Sequence, residues 1–189
     1  MNINTALKGI WMIFSDPRVW GFLIFLFLIS IIWDIPKWIA RRQTEKQEIK
    51  FRHYCRITGV DATDKMDGRQ FEKWLAVKFE KMGYQVHLKS GTKDQGADLI
   101  LRSKSGERIC VQAKKSGKQN IGVAALGDLV RGMRYYQTPK GIVVTNQYFT
   151  KEMKEEASYY SDIELWDRER LVDELAKAEG FKRNKKHNP

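Results

Sequence analysis

Two strand-like runs, residues 97–102 and 108–114, flank the pentapeptide SKSGE, and this pattern constrains the fold more than any other in the chain. Small polar residues and a glycine between β-rich runs read as a hairpin loop. If residues 103–107 form that loop symmetrically, Arg102 pairs with Arg108, Ile100 with Cys110 and Asp98 with Gln112. Opposed residues share a sheet face, with Cβ atoms about 5 Å apart, and side chains alternate along each strand. Asp98, Gln112 and Lys114 are therefore expected on one patch, while Val111 and Ala113 point to the other side. A one-residue bulge would break this register.

The flanking patterns predict an α/β fold. From Met66, the residues Phe71, Trp74, Leu75, Phe79 and Met82 recur at helical spacing and stop at Gly83, a natural helix end. A short strand over 84–88 and the polar loop SGTKDQG lead into the hairpin. Beyond it, Val123, Leu126, Val130 and Met133 mark a helix, and GIVVTN at 141–146 a buried strand. Thr150 can cap a helix carrying Met153, Ala157 and Tyr160. IELW at 163–166 is a last strand, and Asp167 can cap a helix with Leu171, Val172, Leu175 and Ala178 facing inward.

The charge is unevenly placed. The chain of 189 residues has 34 Lys+Arg and 23 Asp+Glu, a net +11 that points to a polyanionic partner. Its 42% hydrophobic and 30% charged residues exclude a collagen, a disulfide scaffold and a wholly disordered chain. Residues 65–140 carry 16 basic against 7 acidic residues, whereas 141–180 carry 5 against 10, so one half of the domain is built for an anion. Cys55 and Cys110 form no C-x-x-C or Cys/His cluster and read as two reduced thiols. His53, His87 and His187 show no ligand spacing.

Residues 19–33, VWGFLIFLFLISIIW, are uncharged. As a helix they would span about 22 Å, short of the ~30 Å hydrocarbon core, with Arg18, Trp20, Trp33, Lys37 and Trp38 able to extend the reach. A cleaved signal peptide competes with this reading, but no A-x-A-like site follows. The expectation is a single-pass anchor over 1–40, with a transmembrane helix at about 18–39. A charged linker follows at 41–65, then a domain at 66–180 and a basic tail at 181–189. Basic residues concentrated after the run place the C-terminal domain in the cytoplasm, at a bacterial inner membrane. The linker would attract anionic lipid headgroups at about 1 kcal/mol per Lys or Arg.

A carboxylate, a carboxamide and an ammonium on adjacent strands suit Mg²⁺ and a phosphodiester, although a solvated sheet face offers the same residue types without chemistry. The strings FEKWLAVKFEKMGYQVHL, KDQGADLILR and ERICVQAKK, in this order, resemble the catalytic domain of Mrr-like restriction endonucleases of the PD-(D/E)xK nuclease superfamily. The resemblance runs over about residues 66–176 and implies a mixed β-sheet flanked by helices. It implies Asp98 as metal-binding aspartate, Gln112 at the usual Asp/Glu position and Lys114 as catalytic lysine, with the Ala113 carbonyl completing the metal ligands. Glu72 and Asp94 match auxiliary acidic positions. Gln112 departs from the superfamily pattern and removes one negative charge.

The implied chemistry is Mg²⁺-dependent DNA hydrolysis, with Mn²⁺ as a substitute, leaving a 5′-phosphate. Lys89, Lys93, Lys115, Lys118, Arg131 and Arg134 surround the patch and would grip the DNA backbone. Tyr135 and Tyr136 could stack on a base or pack the helix. The function expected is a membrane-tethered DNA endonuclease acting on foreign or modified DNA, and the alternative is an inactive DNA-binding module with a nuclease fold. With no target-recognition domain evident, specificity would come from a partner, a DNA structure or a homo-oligomer.

Overall fold

The computed structural model describes residues 16–89 and 95–180, apart from the side chains of 28 and 30–34. The chain divides into two compact units, 1–51 and 52–189. The described residues of the first form most of a long helix, α1 (Pro17–Ile57), which continues through Pro36 and ends in the second unit. The linker expected over 41–65 is thus helical to Ile57 and then forms a 3-10 turn, Val60–Lys65. The expected transmembrane helix lies partly outside the described side chains. Among the described residues, no helix is long and apolar enough to cross a membrane.

The second unit is an α/β domain built on one sheet. Helix α2 (Gly68–Lys81) starts at Asp67, whose side chain accepts from the Gln70 N–H while Gln70 returns the bond, a capping box. It ends before Gly83, at φ 94°, the left-handed conformation that glycine adopts without strain. Then come β1 (Gln85–Leu88), β2 (Leu99–Arg102), β3 (Arg108–Lys114), α3 (Ala124–Tyr136), β4 (Lys140–Thr145), α4 (Lys151–Ala157), β5 (Ile163–Trp166) and α5 (Arg168–Ala178). The sheet order is β1-β2-β3-β4-β5, antiparallel from β1 to β3 and parallel from β3 to β5. The expected mixed sheet is present, and Thr150 and Asp167 cap their helices as expected.

Side-chain alternation gives the sheet two apolar faces. Ile100, Cys110 and Val143 pack with Ala125, Leu126 and Leu129 of α3 and with Met153 of α4. On the other face, Trp166 meets Phe79 of α2 with ring centroids 5.5 Å apart, and Phe71, Trp74 and Leu75 are fully buried. The α3 stripe differs from the one expected. Val123 is 40% exposed, and the buried positions are Ala125, Leu126, Leu129 and Gly132. Small residues, which apolar periodicity passes over, let this helix lie close to the sheet: a Cβ on Gly132 would stand 2.5 Å from the Gly96 carbonyl oxygen. In α5 only Leu171 is fully buried, and Val172 is exposed.

Candidate active site

The hairpin loop is 103–107, and the ladder runs from Arg102↔Arg108 through Ile100↔Cys110 to Leu99↔Val111, as the symmetric register requires. It does not continue to Asp98↔Gln112. The Asp98 N–H donates to the Val111 carbonyl at 2.9 Å, so the regular register stops one residue short of the expected pair. The two side chains still meet. Asp98 Oδ2 accepts from the Ala113 N–H at 2.7 Å and from Gln112 Nε2. Asp98 and Gln112 are 6% and 5% exposed, so a carboxylate and a carboxamide are nearly buried together. Such burial is tolerable because the charged oxygen receives two N–H donors. The Asp98 charge is felt by its neighbour: burial first, and then Asp98, push the Cys110 thiol up to about 12.

Lys114 lies on the same sheet face as Gln112 and reaches α3. Its Nζ donates to Asp128 Oδ2 at 2.8 Å, and Arg131 Nη2 donates to Asp128 Oδ1 at 2.7 Å. Desolvation works to raise the Asp128 carboxyl, but the hydrogen bonds and charges of Lys114 and Arg131 outweigh it and hold the group below its usual range. Asp128 is absent from the sequence reading, yet a signal existed: α3 carries a single carboxylate in an otherwise strongly basic stretch, and strand alternation aims Lys114 towards this helix.

The loop that delivers Asp98 is seated on the same helix turn. Gly96 has φ 86°, and a Cβ there would collide with the Asp128 carbonyl oxygen. Asp98 is thus positioned from two directions, by the hairpin ladder and by close contact between Gly96 and α3.

Of the remaining predicted residues, Asp94 and Lys93 lie outside the described residues. Glu72 stands on α2, paired with Arg69 at 2.5 Å. Arg69 also donates to the Lys89 carbonyl at 2.7 Å, and the Lys89 N–H donates to the Asp98 carbonyl at 2.8 Å. Glu72 is therefore linked to the Asp98 segment through Arg69 and backbone rather than set on the central patch. Lys89 Nζ lies 4.6 Å from the Tyr136 ring centre. Tyr136 packs against the α3 side of the core, while Tyr135 is 64% exposed; Arg134 is also exposed.

Lys115 and Lys118 follow β3 on a loop held by a second group that sequence reasoning did not find. Asn146, fully buried at the end of β4, accepts from the Ser116 N–H at 3.0 Å and donates to the Ser116 carbonyl at 3.1 Å. It also donates to Asp64, which Arg168 grips through both terminal nitrogens, at 2.8 and 3.0 Å. The Arg168 hydrogen bond is the main reason the Asp64 carboxyl lies below its usual range. Only tertiary contact joins these residues, which span 64 to 168, so local pattern carries no trace of them.

Among the described residues, no group of three His, Cys, Asp or Glu side chains is placed to hold a metal ion. Mg²⁺ does not require one, since it keeps several waters and commonly takes one or two carboxylates with other oxygens. Asp98, the Gln112 carboxamide and the Ala113 carbonyl fit that donor set. Gln112 turns its nitrogen towards Asp98, so acting as a ligand would require a rotation of its amide.

A model of the restriction endonuclease family Mrr_cat matches residues 63–175, which include the whole of this constellation. The chain belongs to that family. An uncharacterized protein, y4cE, of Sinorhizobium fredii (strain NBRC 101917 / NGR234) is 24% identical over 153 residues, 71% of this chain; the chain spans 39% of that relative's length. Among solved structures, the DNA modification-dependent restriction endonuclease AspBHI superposes with a TM-score of 0.53 at 16% identity, over 69% of this chain and 36% of that one. At that identity the likeness shows a shared fold. The MspJI restriction endonuclease, solved in complex with a 27-mer oligonucleotide, reaches a TM-score of 0.45 at 17% identity, over 63% of this chain and 34% of that one.

Proposed function

We propose that this Mrr_cat family member is a Mg²⁺-dependent DNA endonuclease whose reacting centre is Asp98, Gln112 and Lys114. The observation that carries the reading is the meeting of Asp98 and Gln112 side chains beside the Ala113 backbone, with Lys114 on the same sheet face. Asp98, the Ala113 carbonyl and, after amide rotation, Gln112 would hold the cation, with Mn²⁺ able to replace Mg²⁺. Bound there, the metal would lower the pKa of a coordinated water and stabilise charge on phosphoryl oxygens. Lys114 orients the attacking water and offsets charge developing on the phosphate. In hydrolysis the water oxygen bonds to phosphorus, the bond from phosphorus to the 3′ oxygen breaks, and the proton passes to that oxygen, leaving a 5′-phosphate. Asp94 assists the cation or its waters, and Glu72 acts on the centre through Arg69, which holds the Lys89 backbone beside Asp98.

Lys89, Lys93, Lys115, Lys118, Arg131 and Arg134 supply backbone contacts that give affinity without sequence choice. A protein of the same fold is named as DNA modification-dependent, which motivates a preference for modified DNA here; foreign DNA belongs to the same proposal. Membrane tethering belongs to the same proposal. It rests on the uncharged run 19–33 and on Trp20, Phe22, Phe25 and Phe27 of α1, each more than half exposed, which lipid would cover. The basic residues after the run support a cytoplasmic domain, and a second copy of the chain would supply a second cutting centre for double-strand cleavage. Recovery of the chain in membranes after alkaline extraction tests the tether; complete release contradicts it.

A second reading, a DNA-binding module without catalysis, is favoured by one observation: the Lys114 ammonium is ion-paired with Asp128, and Gln112 presents its nitrogen rather than its oxygen to Asp98. Incubating the full chain with methylated, unmethylated, single-stranded and branched DNA, with Mg²⁺ or with EDTA, separates the two. Endonuclease function predicts Mg²⁺-dependent nicks in at least one substrate. Retarded but intact DNA under every condition supports the binding module instead.

A further inference from the structure

The loop that leaves β3, Lys115-Ser116-Gly117-Lys118, is held from beneath by its carbonyls. Asn146, fully buried, donates to the Ser116 carbonyl at 3.1 Å and accepts from the Ser116 N–H at 3.0 Å, and Gln147 Nε2 donates to the Gly117 carbonyl at 3.2 Å. No peptide bond here is cis, and a trans peptide sets each C=O opposite the N–H that follows it. With the Ser116 and Gly117 carbonyls turned in towards the end of β4, the N–H groups of Gly117 and Lys118 turn out, on two exposed residues. Among the described residues, neither N–H meets an acceptor.

We propose that these two N–H groups, together with the ammonium groups of Lys115 and Lys118, form a seat for one backbone phosphate of a bound DNA strand. This rests on the reading of the protein as one that acts on DNA. Successive outward N–H groups make a concavity that takes an anion, and hydrogen bonds to a charged oxygen are the strong ones. The acidic group beneath does not oppose the anion: Asp64, which accepts from Asn146, has its two oxygens on Arg168 at 2.8 and 3.0 Å, so its charge is met on the inner side. The turn is closed behind the seat, where the Gln119 N–H donates to Ser116 Oγ at 3.1 Å. Asn146 and Gln147 act on the phosphate only by fixing this backbone. Gly117 follows Lys114 by at most about 11 Å of chain, which sets the seat within about three nucleotides of the phosphate that Lys114 serves.

The test follows the amide resonances of the full chain, isotope-labelled at glycine and lysine nitrogens, by nuclear magnetic resonance without divalent cation. The chain is titrated with a DNA oligonucleotide and, separately, with inorganic phosphate. The Gly117 and Lys118 resonances should move downfield as DNA binds. Gly117→Pro, which removes one of the two donors, should weaken DNA binding by about tenfold, the loss of one hydrogen bond to a charged group. Gly117→Ala keeps the N–H, and a Cβ there meets nothing within 4 Å, so its DNA affinity should stay within about threefold of wild type. DNA binding that leaves both resonances unmoved overturns the inference and leaves the nuclease reading standing, as does an equal loss in the alanine and proline variants. A response to inorganic phosphate with none to DNA overturns the assignment to a DNA strand. A wild-type chain that binds no DNA overturns the DNA reading itself, and this inference with it.

Discussion

Replacing Gly96 with alanine probes how the Asp98 loop is held. At φ 86° an alanine pays the left-handed penalty, about 1–2 kcal/mol. Its Cβ would also collide with the Asp128 carbonyl oxygen, a backbone atom with no rotamer to yield, so the loop must lift from α3. A lift on the order of 1 Å displaces Asp98, and a misplacement of that size costs about 100-fold in rate. Two further glycines separate the causes. Gly132→Ala has no unusual φ but brings a Cβ to 2.5 Å from the Gly96 carbonyl oxygen and 3.1 Å from Cys110 Sγ, so it should lift the same loop without conformational strain. Gly106→Ala has φ 88° but meets nothing nearer than Arg102 at 4.0 Å, so it should lose about 1–2 kcal/mol of stability and keep its activity. Urea unfolding gives the stabilities, and initial nicking rates on supercoiled plasmid give the activities. Wild-type kcat in both Gly96→Ala and Gly132→Ala, or equal loss in Gly106→Ala, would refute the seating of the loop on α3.

Lys115→Ala and Lys118→Ala should weaken DNA binding alike for all sequences and each reduce the salt slope by about one; an unchanged slope removes that loop from the DNA contact. Asp64, held below its usual carboxylate value mainly by the Arg168 hydrogen bond, stabilises the fold fully above the unfolded value near 3.9, and that contribution is lost as pH falls through the lower folded value. The melting-temperature gap between wild type and Asp64→Asn should therefore be constant above pH 5 and close in stronger acid; a gap that widens on acidification contradicts the pairing.

How much of this was legible in the sequence depended on how local its causes are. The helix ends at Gly83, Thr150 and Asp167 were readable because a cap acts within a few residues. The loop 103–107 fixed the hairpin register from Arg102↔Arg108 to Leu99↔Val111 for the same reason. The displaced bond from the Asp98 N–H to Val111 was not readable, because it follows from where the preceding loop rests on α3. The partner of Lys114 was hidden for a related reason. Apolar periodicity on α3 selects large residues, whereas the helix is seated through Ala125 and Gly132, and that seating decides which polar residue faces Lys114. Asn146, Asp64 and Arg168 come from three distant segments and become a unit only in the folded domain.

The most direct test is nicking of supercoiled plasmid by the full chain in Mg²⁺, comparing wild type with Asp98→Ala and Lys114→Ala while DNA binding is measured in parallel. The account predicts that both variants bind DNA within a few-fold of wild type and lose cleavage by at least about 100-fold, the scale for removing a group that stabilises the transition state. Cleavage at the wild-type rate in either variant would contradict it.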